Sequence, residues 1–80
     1  MASTRKQLVL FTARDCSLCE RARALLDRLE LEYEPVDITG NDELEARYRE
    51  WLPVLEIAGE RAFVYYIDEE ALLRKLGAKR

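Results

Sequence analysis

A pair of cysteines separated by two residues lies where an apolar run gives way to a helical pattern. The run Gln7–Thr12 is almost wholly apolar, which predicts a strand buried on both faces. From Cys19 onward, apolar residues recur at the spacing of a helix as far as Leu29. The motif Cys16-Ser17-Leu18-Cys19 is therefore expected at the junction of a first strand with a first helix.

Two further elements are predicted in the middle of the chain. Tyr33–Ile38 alternates and contains Pro35, which cannot donate a ladder hydrogen bond, so we expect an edge strand. Asp42, with Glu45 three residues later, has the form of a helix N-terminal cap, and Pro53 ends that helix. Three aromatic or aliphatic residues form its apolar face: Leu44, Tyr48 and Trp51.

The last third of the sequence predicts a hairpin and a final helix. Val54–Ala58 and Ala62–Tyr66 read as two strands joined by a tight turn at Gly59-Glu60. Tyr65 and Tyr66 then alternate, so one is expected to face inward and the other outward. Asp68 is the expected cap of the last helix, and Gly77 is expected to end it.

The predicted order is β-α-β-α-β-β-α, an α/β fold with a four-stranded mixed sheet and three helices. The first β-α-β unit should be parallel with a right-handed crossover, and the last two strands antiparallel. A chain of 80 residues is too short for two hydrophobic cores, so residues 1–80 are expected to form a single domain. Met1–Arg5 is expected to be a polar tail, and Lys79 and Arg80 suit the C-terminal end of the last helix.

Composition excludes several classes of function. The chain contains no histidine, which excludes a Ser–His or Cys–His nucleophile pair and every His-ligated zinc site. Its net charge is −3, which argues against nucleic acid as a partner, because phosphate binding needs a basic field. The apolar run Leu8–Phe11 is too short for a signal peptide or a membrane span. We expect a soluble, cytoplasmic monomer without a membrane partner.

The cysteine motif is where chemistry is expected. Cysteines three residues apart share one face of a helical turn and are close enough to form a disulfide. Cys16 would lie at the helix N-terminus, where free N–H groups and the helix dipole stabilise a thiolate. Arg14 would strengthen this effect and Asp15 would oppose it. The expected reaction is attack by Cys16 on a substrate disulfide, followed by resolution of the mixed disulfide by Cys19.

The cysteines have two other interpretations, a structural staple and a metal site. As a structural staple, a disulfide that closes a loop of four residues contributes only about 2 kcal/mol through loop entropy. A zinc site needs four ligands, which two thiols without histidine cannot supply within one chain. A metal bridged between two chains stays open, so a non-catalytic binding or metal-bridging module is the alternative to an enzyme.

The motif Cys16-Ser17-Leu18-Cys19 after a strand, together with Trp51-Leu52-Pro53-Val54 at the third strand, resembles the thioredoxin superfold. The nearest resemblance is to the glutaredoxin-like branch of short bacterial proteins. It implies a thiol–disulfide oxidoreductase that needs no cofactor and reduces or exchanges disulfides of proteins or small molecules. It also implies a cis Pro53 against the active-site disulfide and a Leu52 that offers backbone groups to the substrate.

The chain departs from the familiar members of that superfold at several places, of which two bear on its chemistry. Tyr65-Tyr66-Ile67 stands where glutaredoxins carry Gly-Gly, so the small residues that let the backbone approach glutathione are absent. Leu10 stands where thioredoxins carry a buried acid. Trp51 is open to two interpretations: a substrate platform beside the cysteines, or a continuation of the second helix's core face. The reductant is expected to be another thiol system, either glutathione or one that thioredoxin reductase supplies.

Overall fold

The computed structural model describes residues 8–77, and it has the predicted order of elements. The predicted tail Met1–Arg5, the first strand's Gln7, and the basic pair Lys79 and Arg80 lie outside the described residues. The elements are β1 (Leu8–Thr12), α1 (Ser17–Arg28), β2 (Glu34–Asp37), α2 (Asp42–Tyr48), a 3₁₀ turn (Arg49–Trp51), β3 (Val54–Ile57), β4 (Glu60–Val64) and α3 (Glu69–Lys75).

The four strands form one mixed sheet in the order β2-β1-β3-β4. Strand β1 runs parallel to β2 and antiparallel to β3, which places Leu10 opposite Leu55. Strand β4 pairs antiparallel with β3. Strand β2, which contains Pro35, lies at one edge as predicted, and β4 forms the other edge. The fold class predicted from the sequence is confirmed.

Each face of the sheet carries its own hydrophobic cluster. Alternate side chains of β1 point to opposite faces, so Leu10 and Phe11 belong to different clusters. The larger cluster lies between the sheet and helices α1 and α3, around Leu26 and Leu72. The second lies between the sheet and α2 and includes Tyr48 and, at its far end, both cysteines: Cys16 and Cys19. Helix α1 thus packs against the larger cluster along most of its length, whereas Cys19 in its first turn packs into the second cluster.

Two predicted boundaries were wrong by one residue. Helix α2 is capped by Asn41 and not by Asp42, because Asn41 Oδ1 accepts a hydrogen bond of 3.0 Å from the Leu44 N–H. The hairpin turns at Ala58-Gly59, where φ is +55° and +83°, and not at Gly59-Glu60. Positive φ at both central residues is the type I′ geometry, which matches the twist of the paired strands.

The prediction for the two neighbouring tyrosines was also wrong. Strand β4 ends at Val64, so Tyr65 and Tyr66 do not alternate across a sheet, and both are exposed. The predicted ends of the last helix are confirmed: Asp68 Oδ1 accepts from the Ala71 N–H at 3.1 Å, and Gly77 has a φ of +74°. No helix within residues 8–77 is long and apolar enough to cross a bilayer.

Candidate active site

Cys16 is the N-cap residue of helix α1. Its backbone is extended, with φ −119° and ψ 102°, and the helix begins at Ser17. The preceding residue, Asp15, has a φ of +55°, which reverses the chain between the end of β1 and the helix. A non-glycine residue with positive φ carries a conformational cost of order 1–3 kcal/mol that the surrounding structure must hold in place. The turn at Asp15 therefore determines the position of Cys16 at the start of α1.

Cys16 and Cys19 form a disulfide, with their Cα atoms 5.2 Å apart. The two cysteines differ in access. Cys16 is half-buried, whereas Cys19 is only 1% exposed and packs into the second core cluster. Of the two cysteines, Cys16 is therefore the more accessible to an incoming molecule.

The sulfur of Cys16 is itself the capping group of the helix. The backbone N–H of Cys19 donates to Cys16 Sγ at 3.1 Å, the position that a serine or asparagine oxygen takes in an ordinary N-cap. A donor aimed at the sulfur, at the positive end of the helix dipole, stabilises negative charge there. Glu20, in the first turn, is the one acidic residue of α1 near that end, and it opposes the effect.

The Leu52–Pro53 peptide bond is cis, as the resemblance implies. Pro53 is fully buried, and the Leu52 side chain belongs to the same core cluster as Cys16 and Cys19. Tyr65 connects to this segment through its backbone N–H, which lies 3.0 Å from the Pro53 carbonyl oxygen and 3.3 Å from that of Trp51. The structure thus brings Leu52 and the cysteines together in one cluster and attaches Tyr65 to the Pro53 segment.

Trp51 does not continue the buried face of α2. The helix ends at Tyr48, and the 3₁₀ turn rotates Trp51 outward, where it is 38% exposed. Its ring lies 6.1 Å from that of Tyr65, between centroids, and the Arg61 guanidinium sits 5.6 Å above it. The structure thus places Trp51 at the surface, and its role as a substrate platform stays a prediction.

Arg14 lines the same groove as Cys19 and Asp37, the last residue of β2. Its backbone N–H donates to Thr39 Oγ1 at 3.1 Å. The pKa of the Asp37 carboxyl is held below its ordinary value, chiefly by the hydrogen bond from the Thr39 N–H, and in smaller part by the Arg14 charge. The groove is open and has a volume of about 620 Å³. The Arg14 charge is thus shared with Asp37 and is not dedicated to the Cys16 sulfur.

Three exposed apolar residues of this region were not among the predicted site residues. Leu18, between the two cysteines, is 46% exposed, and Tyr65 and Tyr66 are 47% and 71% exposed. The sequence signal for Leu18 was its position inside the motif, at helical spacing from Ala22 and Leu25. For Tyr65 and Tyr66 the alternation predicted one exposed side chain and ordinary packing for both, and only the tertiary hydrogen bonds of Tyr65 show that β4 ends before them.

No group of three or more residues of the types that ligate metals comes together anywhere in the described chain. The two thiols alone are fewer ligands than a closed zinc site needs.

Comparison with known structures supports the same architecture. The X-ray structure of the structural-genomics target protein XcR50 from X. campestris is 28% identical with a TM-score of 0.76, over 91% of this chain and 99% of that one. Protein Ne2328 from Nitrosomonas europaea is 27% identical with a TM-score of 0.72, over 89% and 91%. A buckwheat glutaredoxin–glutathione complex is 22% identical with a TM-score of 0.65, over 92% and 73%, and shows the fold alone.

The family comparison covers almost the whole sequence. No curated protein matches the chain significantly. The model of the glutaredoxin-like domain (DUF836) matches residues 7–77, which include both cysteines and the cis proline. The chain therefore belongs to the glutaredoxin-like domain family, with a thioredoxin-type fold and a Cys-x-x-Cys pair at the start of its first helix.

Proposed function

We propose that the protein is a thiol–disulfide oxidoreductase that uses the Cys16/Cys19 dithiol. The observation that carries this proposal is the hydrogen bond from the Cys19 N–H to Cys16 Sγ at the N-terminus of α1. This hydrogen bond supports a Cys16 thiolate in the reduced protein. The burial of Cys19 supports attack by Cys16 and resolution by Cys19.

The proposed reaction transfers two electrons from the dithiol to a substrate disulfide. The Cys16 thiolate attacks one substrate sulfur, a mixed disulfide forms, and the other substrate sulfur leaves as a thiolate that takes up a proton. The Cys19 thiol loses its proton and attacks Cys16 Sγ, which forms the internal disulfide and releases the second substrate thiol. A separate thiol reductant then returns the protein to the dithiol form, and no other cofactor takes part.

In this proposal the other candidate residues form the surface that binds the substrate. Leu52 and the cis Pro53 shape the edge beside the disulfide, where the backbone of an extended substrate segment would lie. Trp51 provides a surface beside that edge. Arg14 has a lesser role, since its charge is shared with Asp37. A reducing compartment such as the cytoplasm suits a protein that works as a dithiol.

A single-turnover assay tests the proposal. Pre-reduced protein is mixed with a disulfide-bonded peptide, and thiol release is followed together with intact mass. The wild type and the Ser17→Ala control, altered within the same motif, should release two thiols per turnover. Cys19→Ser should stop at the mixed disulfide, and Cys16→Ser should release none. Equal thiol release by Cys16→Ser and the wild type would overturn the proposal.

A further inference from the structure

The large apolar side chains that are exposed within residues 8–77 gather around the disulfide. They are Leu18, Trp51, Tyr65 and Tyr66, which we call the apolar collar. Leu18 lies between the two cysteines, Trp51 comes two residues before Pro53, and Tyr65 is hydrogen-bonded to the Pro53 carbonyl. Single exposed apolar residues are ordinary on a protein surface, but a group of them beside one site indicates a binding surface.

Two members of the apolar collar, Tyr65 and Tyr66, lie in a tight turn centred on Tyr65. The Tyr66 N–H donates to the Val64 carbonyl at 2.6 Å, and Tyr65 between them has a φ of +65°. This is the hydrogen-bond pattern of a γ-turn with positive φ at its centre, a rare and strained form. A bulky residue seldom adopts that φ, and such strain collects at functional sites. The turn holds both tyrosine side chains at the surface instead of in the sheet.

A hollow of about 180 Å³ opens between this turn and helix α1. Its walls are mainly apolar and include Leu18, Ala22, Leu25, Tyr66 and Ile67. An apolar cavity of about 150 Å³ accepts a benzene molecule, so the hollow has room for one aromatic or branched aliphatic side chain. Because Leu18 forms part of its wall, the hollow begins within the cysteine motif itself.

Two guanidinium groups flank the collar. Arg21 lines the hollow, and Arg61 lies over the Trp51 ring. Neither has a carboxylate partner among the residues that the structure describes. Both charges are therefore available to acidic groups of a molecule that docks on the collar, although the net charge of the whole chain is −3.

We propose that the hollow binds a large apolar side chain next to a cysteine in a protein disulfide, with an acidic residue beside it that pairs with Arg21. This inference rests on the proposed oxidoreductase function and names the substrate class of that site. Glutathione carries carboxylates but no large apolar side chain, so it would leave the hollow empty. The collar thus selects protein substrates over small thiols by the residue that flanks the reacting cysteine.

The test compares three disulfides as substrates of the pre-reduced full chain. The first is a peptide disulfide with the sequence Glu-Phe-Cys at its reacting sulfur, the second replaces that Phe by Ser, and the third is glutathione disulfide. The rate constant of thiol release should be about tenfold higher for the Phe peptide than for the Ser peptide, as expected when an apolar pocket is filled.

Three variants locate the effect. Tyr66→Ser should lower the rate with the Phe peptide severalfold and bring it close to the rate with the Ser peptide. Arg21→Glu should also lower the rate with the Phe peptide severalfold. Arg23→Glu makes the same charge change two residues further along α1 but lines the other groove, so it should retain the wild-type preference. Circular dichroism confirms that each variant is folded.

The outcomes separate the two proposals. Equal rates with the Phe and Ser peptides, or equal losses in Arg21→Glu and Arg23→Glu, would overturn the assignment of the hollow while leaving the oxidoreductase function intact. Failure of the wild type to reduce any of the three disulfides would overturn the proposed function, and the assignment with it.

Discussion

The backbone N–H of Cys19 donates a hydrogen bond of 3.1 Å to Cys16 Sγ, so the side chain of Cys16 caps the helix in which Cys19 lies. The chain has no histidine to act as a general base beside Cys16. Activation in this account therefore comes from the helix N-terminus, a fixed feature of the fold that needs no titrating partner.

Replacing Asn41 tests the observed start of α2. Asn41→Ala removes the side chain that accepts from the Leu44 N–H, and should lower the free energy of unfolding by about 1 kcal/mol. Asp42→Ala, one residue further along, keeps that hydrogen bond and should cost less. Urea unfolding of the two variants measures the difference. A larger loss in Asp42→Ala would show that the cap is at Asp42 after all.

The hairpin turn offers a stabilising substitution. Ala58 holds a φ of +55° in a type I′ turn, a conformation that asparagine tolerates much better than alanine. Ala58→Asn should raise the free energy of unfolding by about 0.5–1 kcal/mol. Ala46→Asn, at an exposed helical position, should instead lower it slightly because asparagine is a weaker helix former. Thermal unfolding of both distinguishes them, and destabilisation by Ala58→Asn would contradict the turn assignment.

Tyr48 should make the protein sensitive to alkaline pH. Burial, and then the hydrogen bond of 2.9 Å from its hydroxyl to Glu56 Oε2, raises the pKa of Tyr48 above its ordinary value. The folded state therefore favours the neutral phenol. Its contribution to stability is complete below about pH 10 and is lost as the pH rises through the higher pKa of the folded state.

The Tyr48→Phe variant isolates this contribution. Measured on the oxidised protein, its free energy of unfolding should fall less steeply above pH 10 than that of the wild type. Tyr66→Phe, at an exposed position, should follow the wild-type curve. Identical slopes for Tyr48→Phe and the wild type would show that Tyr48 does not carry the alkaline loss.

Metal analysis separates the enzyme from the metal-bridging alternative. Purified under reducing conditions, the protein should contain far less than half an equivalent of zinc or iron, because one chain supplies only two thiol ligands. Elemental analysis alongside gel filtration gives the measurement. About half an equivalent of metal in a dimer that Cys19→Ser abolishes would support bridging between two chains and contradict the oxidoreductase.

The sequence was informative where structure is determined locally. The apolar run of β1, the helical period after Cys19 and the Asp68 cap each depend on neighbours within a few residues, and all three are present in the structure. The cysteine motif was placed correctly at the start of α1 for the same reason.

The differences arise where tertiary contacts override a local pattern. Tyr65 follows the alternation of β4, yet its N–H bonds to the Trp51 and Pro53 carbonyls, and these contacts end the strand at Val64. Trp51 keeps helical spacing from Tyr48, yet the tighter 3₁₀ turn rotates it outward. Both departures lie at the apolar collar, so the part of the candidate site that the sequence missed is the part formed by long-range contacts.

Alkylation of the fully reduced protein across a range of pH tests the central claim most directly. Peptide mass spectrometry follows each cysteine separately. Cys16 should react first, with a pH midpoint that reports a pKa below the ordinary thiol value of about 8.5, while buried Cys19 stays protected. A Cys16 midpoint at or above that value, or equal reactivity of the two cysteines, would contradict the account.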